Sequence, residues 1–312
     1  MNTHTPGLPR RLDSRRPWRW ATIAVSTLTV ALLTLPAGAE TFERRVEASS
    51  KSLVTVSNLS GSVEVQGWDK AEVEVLGDID SRIHQVEVSV RGERIEIEVV
   101  YERGRFNFGG DADLRINMPT AARLEVETVS ADIAIARLTG EVELESVSGG
   151  VEIRDRPTSV RAESVSGDID LRDGAARVSA ETVSGAVVVT GQVADLEASS
   201  VSGAVRLERT EDLRRAEVEV VSGEIQIDAS LAADARLSAS SHSGSVVIRL
   251  PESTSARIRA TTFSGDIRND LGPPAQRTSR YSPGEELDFT LGSGTARIDL
   301  ESYSGTVSLR RR

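Results

Sequence analysis

Registered on a recurring Ser-Gly pair, the chain resolves into columns of apolar and polar residues that persist from Val54 to Val307. The pair stands at Ser60-Gly61, Ser148-Gly149, Ser166-Gly167, Ser184-Gly185, Ser202-Gly203, Ser222-Gly223, Ser243-Gly244, Ser264-Gly265 and Ser304-Gly305; Ser130-Ala131 is a copy without the glycine. Seven residues before the glycine and two after it, every copy is apolar, as at Val142 and Val151 or Val178 and Val187. Four after it the column is aliphatic except at Asn269, and five before it smaller residues such as Ala162, Ala180 and Ala198 take over. Val dominates two before it, giving way to His242, Phe263 and Tyr303, and Ser or Thr dominates three before it. Four before it runs an acidic column, Glu127, Glu145, Glu163 and Glu181, resuming at Glu219 and Glu301.

Apolar residues two apart on either side of a fixed corner predict two short strands per repeat, because successive strand side chains alternate between faces. The five aliphatic columns are expected to turn inward. Glycine at the corner is assigned to its tolerance of positive φ. Return segments such as residues 154–159 and 172–177 are rich in charge, Gly and Pro, as surface turns are. Gly149, Gly167, Gly185 and Gly203 lie 18 residues apart; later intervals are 20, 21, 21 and finally 40, to Gly305. That last interval contains Ser282-Pro283-Gly284, read as a degenerate coil after the Pro-rich insertion Gly272-Pro273-Pro274.

A fixed period of this length marks a repeat architecture. Columns of like residues are expected if each coil stacks on its own counterpart at about 4.8 Å. An antiparallel meander gives no such vertical likeness, and Ser-Gly is a weaker hairpin turn than Asn-Gly or Asp-Gly. The predicted fold is therefore all-β: a β-solenoid, single-stranded and β-helix-like, of roughly 18–21-residue coils with an N-terminal antiparallel β cap. The cap follows from the strict alternation in Val73-Glu74-Val75, in residues 86–90 and in residues 95–99, with a hairpin turn at Gly92-Glu93. The expected organisation is a signal peptide over 1–39, the cap with the first coil over 40–118, and the repeat domain over 119–312.

Composition narrows the picture. Only 4% of the 312 residues are aromatic, so Val, Ile, Leu and Ala must build the core. The leader places Arg10, Arg11, Arg15, Arg16 and Arg19 before an apolar run ending at Leu35, then Ala37-Gly38-Ala39, the layout of an export signal. The run is short of the ~20 residues a bilayer span needs, so a periplasmic or secreted chain is expected after cleavage, with no membrane insertion; the alternative is a retained membrane anchor. The absence of cysteine removes disulfides and lipid attachment through a thiol. Removing the leader's five Arg and one Asp takes the net charge from −11 to −15. Such acidity argues against nucleic acid as a partner.

The Val-Ser-Gly-Asp-Ile run at residues 165–169 and Phe-Ser-Gly-Asp-Ile at residues 263–267 resemble the bacterial putative-adhesin family, as do the lead-ins ending Met118-Pro119 and Leu250-Pro251. The resemblance covers residues 46–312. It implies an exported or envelope-associated β-solenoid domain whose function is not established.

Candidate chemistry is sparse. The three histidines, His4, His84 and His242, are scattered, and with no cysteine neither zinc chemistry nor Cys/His catalysis is expected. Ser-Gly repeats too often for one copy to be a nucleophile elbow, and no Gly-x-Ser-x-Gly surrounds it. No catalytic, cofactor-binding or metal-binding residue is assigned, and no cofactor. Stacked carboxylates at Glu127, Glu145, Glu163 and Glu181 could hold a cation, but the plainer expectation is a solvated outer face, since no Asp/Asn/Gly calcium loop accompanies them. A polysaccharide-active enzyme would use aromatic faces, and none occurs between Gly109 and Thr262. Phe42, Trp68, Tyr101, Phe106 and Phe108 at one end, and Phe263, Tyr281, Phe289 and Tyr303 at the other, are expected to plug the ends. The alternative is partner contact through the Phe106/Phe108 loop or the Pro-rich insertion. The overall expectation is a non-catalytic module binding a protein or glycan at the cell envelope. The alternatives are a polysaccharide-active enzyme and an envelope-stress regulatory component.

Overall fold

The computed structural model describes residues 40–101, 110–279 and 283–312; the expected leader, the Phe106/Phe108 loop and Tyr281-Ser282 lie outside the described residues. The described residues contain no helix and form 23 strands of one hydrogen-bonded sheet. First come β1 (Glu40–Glu47), β2 (Leu53–Trp68), β3 (Glu72–Ile79), β4 (Ile83–Arg91), β5 (Arg94–Tyr101) and β6 (Ala112–Pro119). The middle comprises β7 (Arg123–Ala136), β8 (Glu141–Ser146), β9 (Val151–Arg154), β10 (Ser159–Ser164), β11 (Ile169–Leu171), β12 (Gly174–Thr182), β13 (Val187–Thr190), β14 (Gln192–Ser200), β15 (Val205–Ser222), β16 (Ile225–Ser243) and β17 (Val246–Leu250). The chain finishes with β18 (Ala256–Ser264), β19 (Ile267–Asn269), β20 (Gln276–Arg277), β21 (Glu285–Leu291), β22 (Ala296–Ser304) and β23 (Val307–Arg311).

In the middle, each rung lies parallel on the next, with equivalent residues in register. Val142 pairs with Val160, Val160 with Val178, and Val178 with Leu196. Across the corner Val151 pairs with Ile169 and Ile169 with Val187. These columns are buried to a few per cent exposure or less and form one continuous core.

Five inward aliphatic columns were expected; the corner changes the parity. Alternation carries through from positions −7 and −5 to −3, so it is Ser or Thr that turns inward: Thr128, Ser146, Ser164, Thr182 and Ser200 are buried. Each hydroxyl has a task there. The N–H of Gly149 donates to Ser146 Oγ at 3.1 Å, and those of Gly167, Gly185 and Gly203 to Ser164, Thr182 and Ser200 at 2.8–3.0 Å. A buried N–H left unpaired would cost about 1–3 kcal/mol, so this column stabilises the turn. The Val at −2 consequently points outward.

The expected positive φ is found at Gly61, at 108°, but the corner glycines of the middle rungs are required for a different reason. Gly149, Gly167, Gly185 and Gly203 do not have positive φ. A Cβ at Gly185 would sit 2.0 Å from the carbonyl oxygen of Gly167, and one at Gly203 1.7 Å from that of Gly185. Close backbone approach between rungs excludes a side chain. Left-handed backbone appears instead six residues later, at Arg137, Asp155, Asp173, Gly191 and Arg209, with φ from 51° to 92°. That second corner carries no glycine signature in the sequence.

The ends depart from sequence order. β2 pairs in parallel with β7 on one side and with β5 and β6 on the other. The rung built by β5 and β6 is therefore outermost, and the earlier rung, β2, is held beneath it. At the other end β22 lies between β16 and β18, and β23 between β17 and β19. The last rung in the chain is thus the second from the edge. The expected degenerate coil at Ser282-Pro283-Gly284 lies partly outside the described residues; among the described residues of this interval, β21 runs antiparallel along β18 and carries β20. Antiparallel strands line the N-terminal edge as well, β4 on β5 and β1 on β3, which pairs with β6.

Candidate interaction surface

The outward corner column is the most unusual surface of the molecule. Among the described residues the exposed large hydrophobics are Leu59, Val90, Val129, Val147, Val165, Val183, Val201, Val221, Phe263 and Tyr303. All but Val90 occupy position −2, so they form a single line. The rungs bring them together in the order Leu59, Val129, Val147, Val165, Val183, Val201, Val221, His242, Tyr303, Phe263. The last three rings stack almost flat, His242 on Tyr303 at 4.8 Å and Phe263 on Tyr303 at 4.7 Å between centroids. Phe263 and Tyr303 are 59% and 50% exposed. They do not plug the end of the stack, as the sequence suggested, but extend the outer ridge.

The line is fixed by backbone hydrogen bonds on its flank. The N–H of Ser166 donates to the carbonyl of Val147 at 2.9 Å, and that of Ser184 to Val165 at 3.0 Å. The hydroxyls of Ser166 and Ser184 donate to the same two oxygens at 3.1 and 3.2 Å. The serine of Ser-Gly thus ties each exposed Val to the next rung.

Two residues away runs the acidic column. Glu127 pairs in register with Glu145, Glu145 with Glu163, and Glu163 with Glu181. The column is then broken by Ser199 and resumes at Glu219. Arg161 Nη2 reaches Glu163 at 2.6 Å and its Nε reaches Glu143 at 3.8 Å. The other three carboxylates of the column form no ion pair with a described residue. No group of three or more His, Cys, Asp or Glu among the described residues could hold a metal ion. His84 is exposed and His242 belongs to the ring stack.

The two columns border a groove of about 890 Å³, lined by the Glu, Ser/Thr and Val of successive rungs from Glu127 to Val183 and continued by Ser199 and Val201. Its N-terminal end is lined by Ser57, Asn58, Leu59 and residues 98–101. Tyr101 closes the hydrogen bonding there. Its hydroxyl donates to Asn58 Oδ1 at 2.8 Å and accepts the N–H groups of Leu59 and Ser60, both at 3.3 Å. Asn58 in turn donates to the carbonyl of Ala112 at 2.9 Å. Burial pushes the Tyr101 hydroxyl above the usual phenol range. At the opposite end of the corner Glu285 Oε2 accepts the N–H of Ile267 at 2.7 Å.

Asp80 is held down at about 2, chiefly by the Arg82 guanidinium hydrogen-bonded to it, and Asp288 is lowered by Arg257 and Arg259. Both carboxylates shift away from the raised pKa that general-acid catalysis needs.

Comparison with known proteins places this geometry. The Toastrack DUF4097 family model matches residues 45–216 and again residues 200–310. A solved structure described as a putative lipid binding protein from Parabacteroides distasonis is 17% identical, with a TM-score of 0.51, over 87% of this chain and 96% of that one. A putative adhesin from the same organism is 11% identical, with a TM-score of 0.44, over 86% and 97%. A putative adhesin from Bacteroides fragilis is 13% identical, with a TM-score of 0.38, over 86% and 97%. No curated protein matches the chain. The first of these likenesses supports the fold alone.

Proposed function

The chain belongs to the Toastrack DUF4097 family, and from that premise we propose a non-catalytic, exported structural and interaction module of the bacterial cell envelope, adhesin-like in the way it presents its surface. Its rungs form a β-solenoid of 18–21-residue coils, in which residues 40–118 supply an N-terminal cap with the first coil and residues 119–312 the repeat domain. Residues 1–39 act as the export signal, and the mature chain works in the periplasm or outside the cell without inserting into the membrane.

The observation that carries this reading is the outer corner. A stack repeats one side-chain position at intervals of about 4.8 Å, so it offers a long periodic surface rather than a cleft, as repeat proteins do when they bind partners. Here that position holds an exposed apolar or aromatic residue on every rung from Leu59 to Phe263 except the one that carries His242. Contiguous exposed apolar surface marks interaction sites.

A polysaccharide-active enzyme would stack sugar rings on aromatic faces, and Tyr101 is the one aromatic side chain lining the groove among the described residues. Lipid binding, named for one structural relative, gains no support from the interior, which the aliphatic columns fill from rung to rung. The experiment is fractionation of cells producing the full chain, with a photo-crosslinking side chain at Val165 in one sample and at Arg206 on the other wall in a second. Envelope recovery and a crosslinked envelope partner from either site support the proposal. Cytoplasmic recovery with no crosslink from either site would overturn it.

A further inference from the structure

We propose that the groove between the acidic column and the apolar ridge binds an extended polypeptide segment in which cationic and apolar side chains alternate. This rests on the interaction-module reading and gives it a partner chemistry. Three observations converge on that partner.

The apolar ridge is concentrated rather than scattered. Nine of the ten exposed large hydrophobics of the described residues share one column, and Leu59, Val129, Val147, Val165, Val183 and Val201 line the groove.

The charge beside that ridge is of one sign. Among the described residues, Glu98, Glu127, Glu145, Glu163 and Glu181 line the groove and no Arg or Lys does. This is not for want of arginine on the surface. Elsewhere on the rungs carboxylates have partners, as in Arg123–Glu141 at 3.0 Å, Arg154–Glu152 at 2.9 Å and Arg172–Asp170 at 2.9 Å. Among the described residues, ion pairing along the groove is confined to Glu163. Like charges stacked on neighbouring strands destabilise a sheet by tenths of a kcal/mol or more, so a cationic occupant would relieve a cost that the fold bears alone.

Size and available faces select the class. Five rung steps from Glu98 to Glu181 at about 4.8 Å span roughly 24 Å, the reach of about seven extended residues. Alternation would send one set of side chains to the carboxylates and the other to the Val ridge. Among the described residues a glycan finds little aromatic platform in the groove, because His242, Tyr303 and Phe263 stack on one another outside it and Tyr101 alone lines it. A polyanion would be repelled by the carboxylates.

The test uses the full chain and fluorescein-labelled peptides of about eight residues, enough to span the groove, alternating Arg and Leu, Glu and Leu, or Arg and Ser. Binding is read by anisotropy. The Arg/Leu peptide is expected to bind, with affinity falling about fivefold or more in E145Q/E181Q and again at high salt, as exposed ion pairs are screened. V147S/V165S should weaken it similarly, and both control peptides should bind at least about tenfold more weakly. Unchanged thermal midpoints show that the variants keep the stack; E145Q/E181Q is nearly isosteric and carries the test if the Val variant melts early. Absence of Arg/Leu binding, equal binding of the Glu/Leu peptide, or an unchanged affinity in E145Q/E181Q would overturn the proposal. In the crosslinking experiment, a partner captured from Arg206 but not from Val165 keeps the module reading and removes the groove from it.

Discussion

The middle of the stack and its two ends obey different rules, although their residues belong to the same columns. From Glu141 to Ser200 the chain lays each rung on the one it has just made, and the register advances by one repeat each time. At the N-terminal end β2 is covered by the later rung β5–β6; at the C-terminal end β22 and β23 slide under the earlier β18 and β19. A rung at the edge of a parallel stack has one face of backbone N–H and C=O groups without a partner, a standing invitation to pair with another chain. Burying the terminal rung one layer in means that neither chain-terminal rung lies at an edge. It also lets antiparallel strands from long connections, β4 and β21, cover the edges instead.

The corner hydrogen bonds follow the same division. In the 18-residue repeats each Gly N–H returns to the Ser or Thr of its own rung, as Gly167 does to Ser164 at 2.9 Å. From Gly223 onward it crosses to the next rung: Gly223 to Ser243 at 3.0 Å, Gly244 to Ser304 at 3.1 Å and Gly305 to Ser264 at 3.2 Å. That path again follows stacking order rather than chain order.

Removing residues 296–312 makes the largest break in this comparison. It takes out the rung between β16 and β18, not a dispensable end, so the cooperative array loses the partner of two rungs at once. Loss of a soluble folded chain on gel filtration is expected, whereas an end rung laid in sequence order would have left the rest soluble. Next is Gly185→Ala in the middle. Its Cβ would fall 2.0 Å from the Gly167 oxygen, backbone that cannot move aside. Overpacking of this kind costs about 1–3 kcal/mol or more, seen as a lower urea midpoint. Tyr101→Phe breaks the end without touching the middle. It leaves the N–H groups of Leu59 and Ser60 without their acceptor, for a loss of about 1–2 kcal/mol and faster amide exchange confined to residues near 59 and 60.

Smaller effects sharpen the account. Arg209 holds φ of 51° at the second corner, a conformation costing a non-glycine residue about 1–2 kcal/mol, so Arg209→Gly should leave stability equal or slightly higher in the same denaturation assay. The weakest effect is electrostatic. Asp80 titrates in the folded chain at about 2, below its ordinary 3.8, because Arg82 favours the charged form. Its folded pKa lies below the unfolded one, so its contribution is present above pH ~4 and lost as pH falls through about 2. Asp80→Asn should therefore remove a small pH-dependence of unfolding confined to that acidic window, and no difference in slope at neutral pH is expected.

Much of the middle could be read from the sequence because its cause is local. From Gly149 onward glycine recurs where a rung meets the carbonyl of its counterpart, so the Ser-Gly spacing reports the register directly, and the hairpin at Gly92-Glu93 is observed between β4 and β5, where Arg91 pairs with Arg94. The ends were obscure for a physical reason. Period-two alternation tells which face of a strand is buried but not which rung lies above it, and Leu300 or Ala260 fits over Ala239 equally well. The clues were the long intervals from Gly61 to Gly149 and from Gly265 to Gly305, which leave room for a strand to go out and return. The outer ridge was missed because Val is expected inside. Only the buried hydroxyls of Ser146, Ser164 and Thr182 show that the corner has shifted the parity and turned its neighbour to solvent. The acidic column was legible as a surface line, while the finding that Glu127, Glu145 and Glu181 have no ion-pair partner among the described residues needed the neighbouring rungs in place.

The stack order itself can be tested without background, since the chain has no cysteine. Ser240 pairs in register with Glu301, whereas Thr261, its equivalent in the next repeat along the chain, pairs with Glu301 from the far side. Mild oxidation should close a disulfide in S240C/E301C, at the spacing of one rung, about 4.8 Å, and leave S240C/T261C, two rungs apart, as free thiols. A disulfide in S240C/T261C with none in S240C/E301C would contradict the interleaved order and, with it, the continuity of the outer ridge.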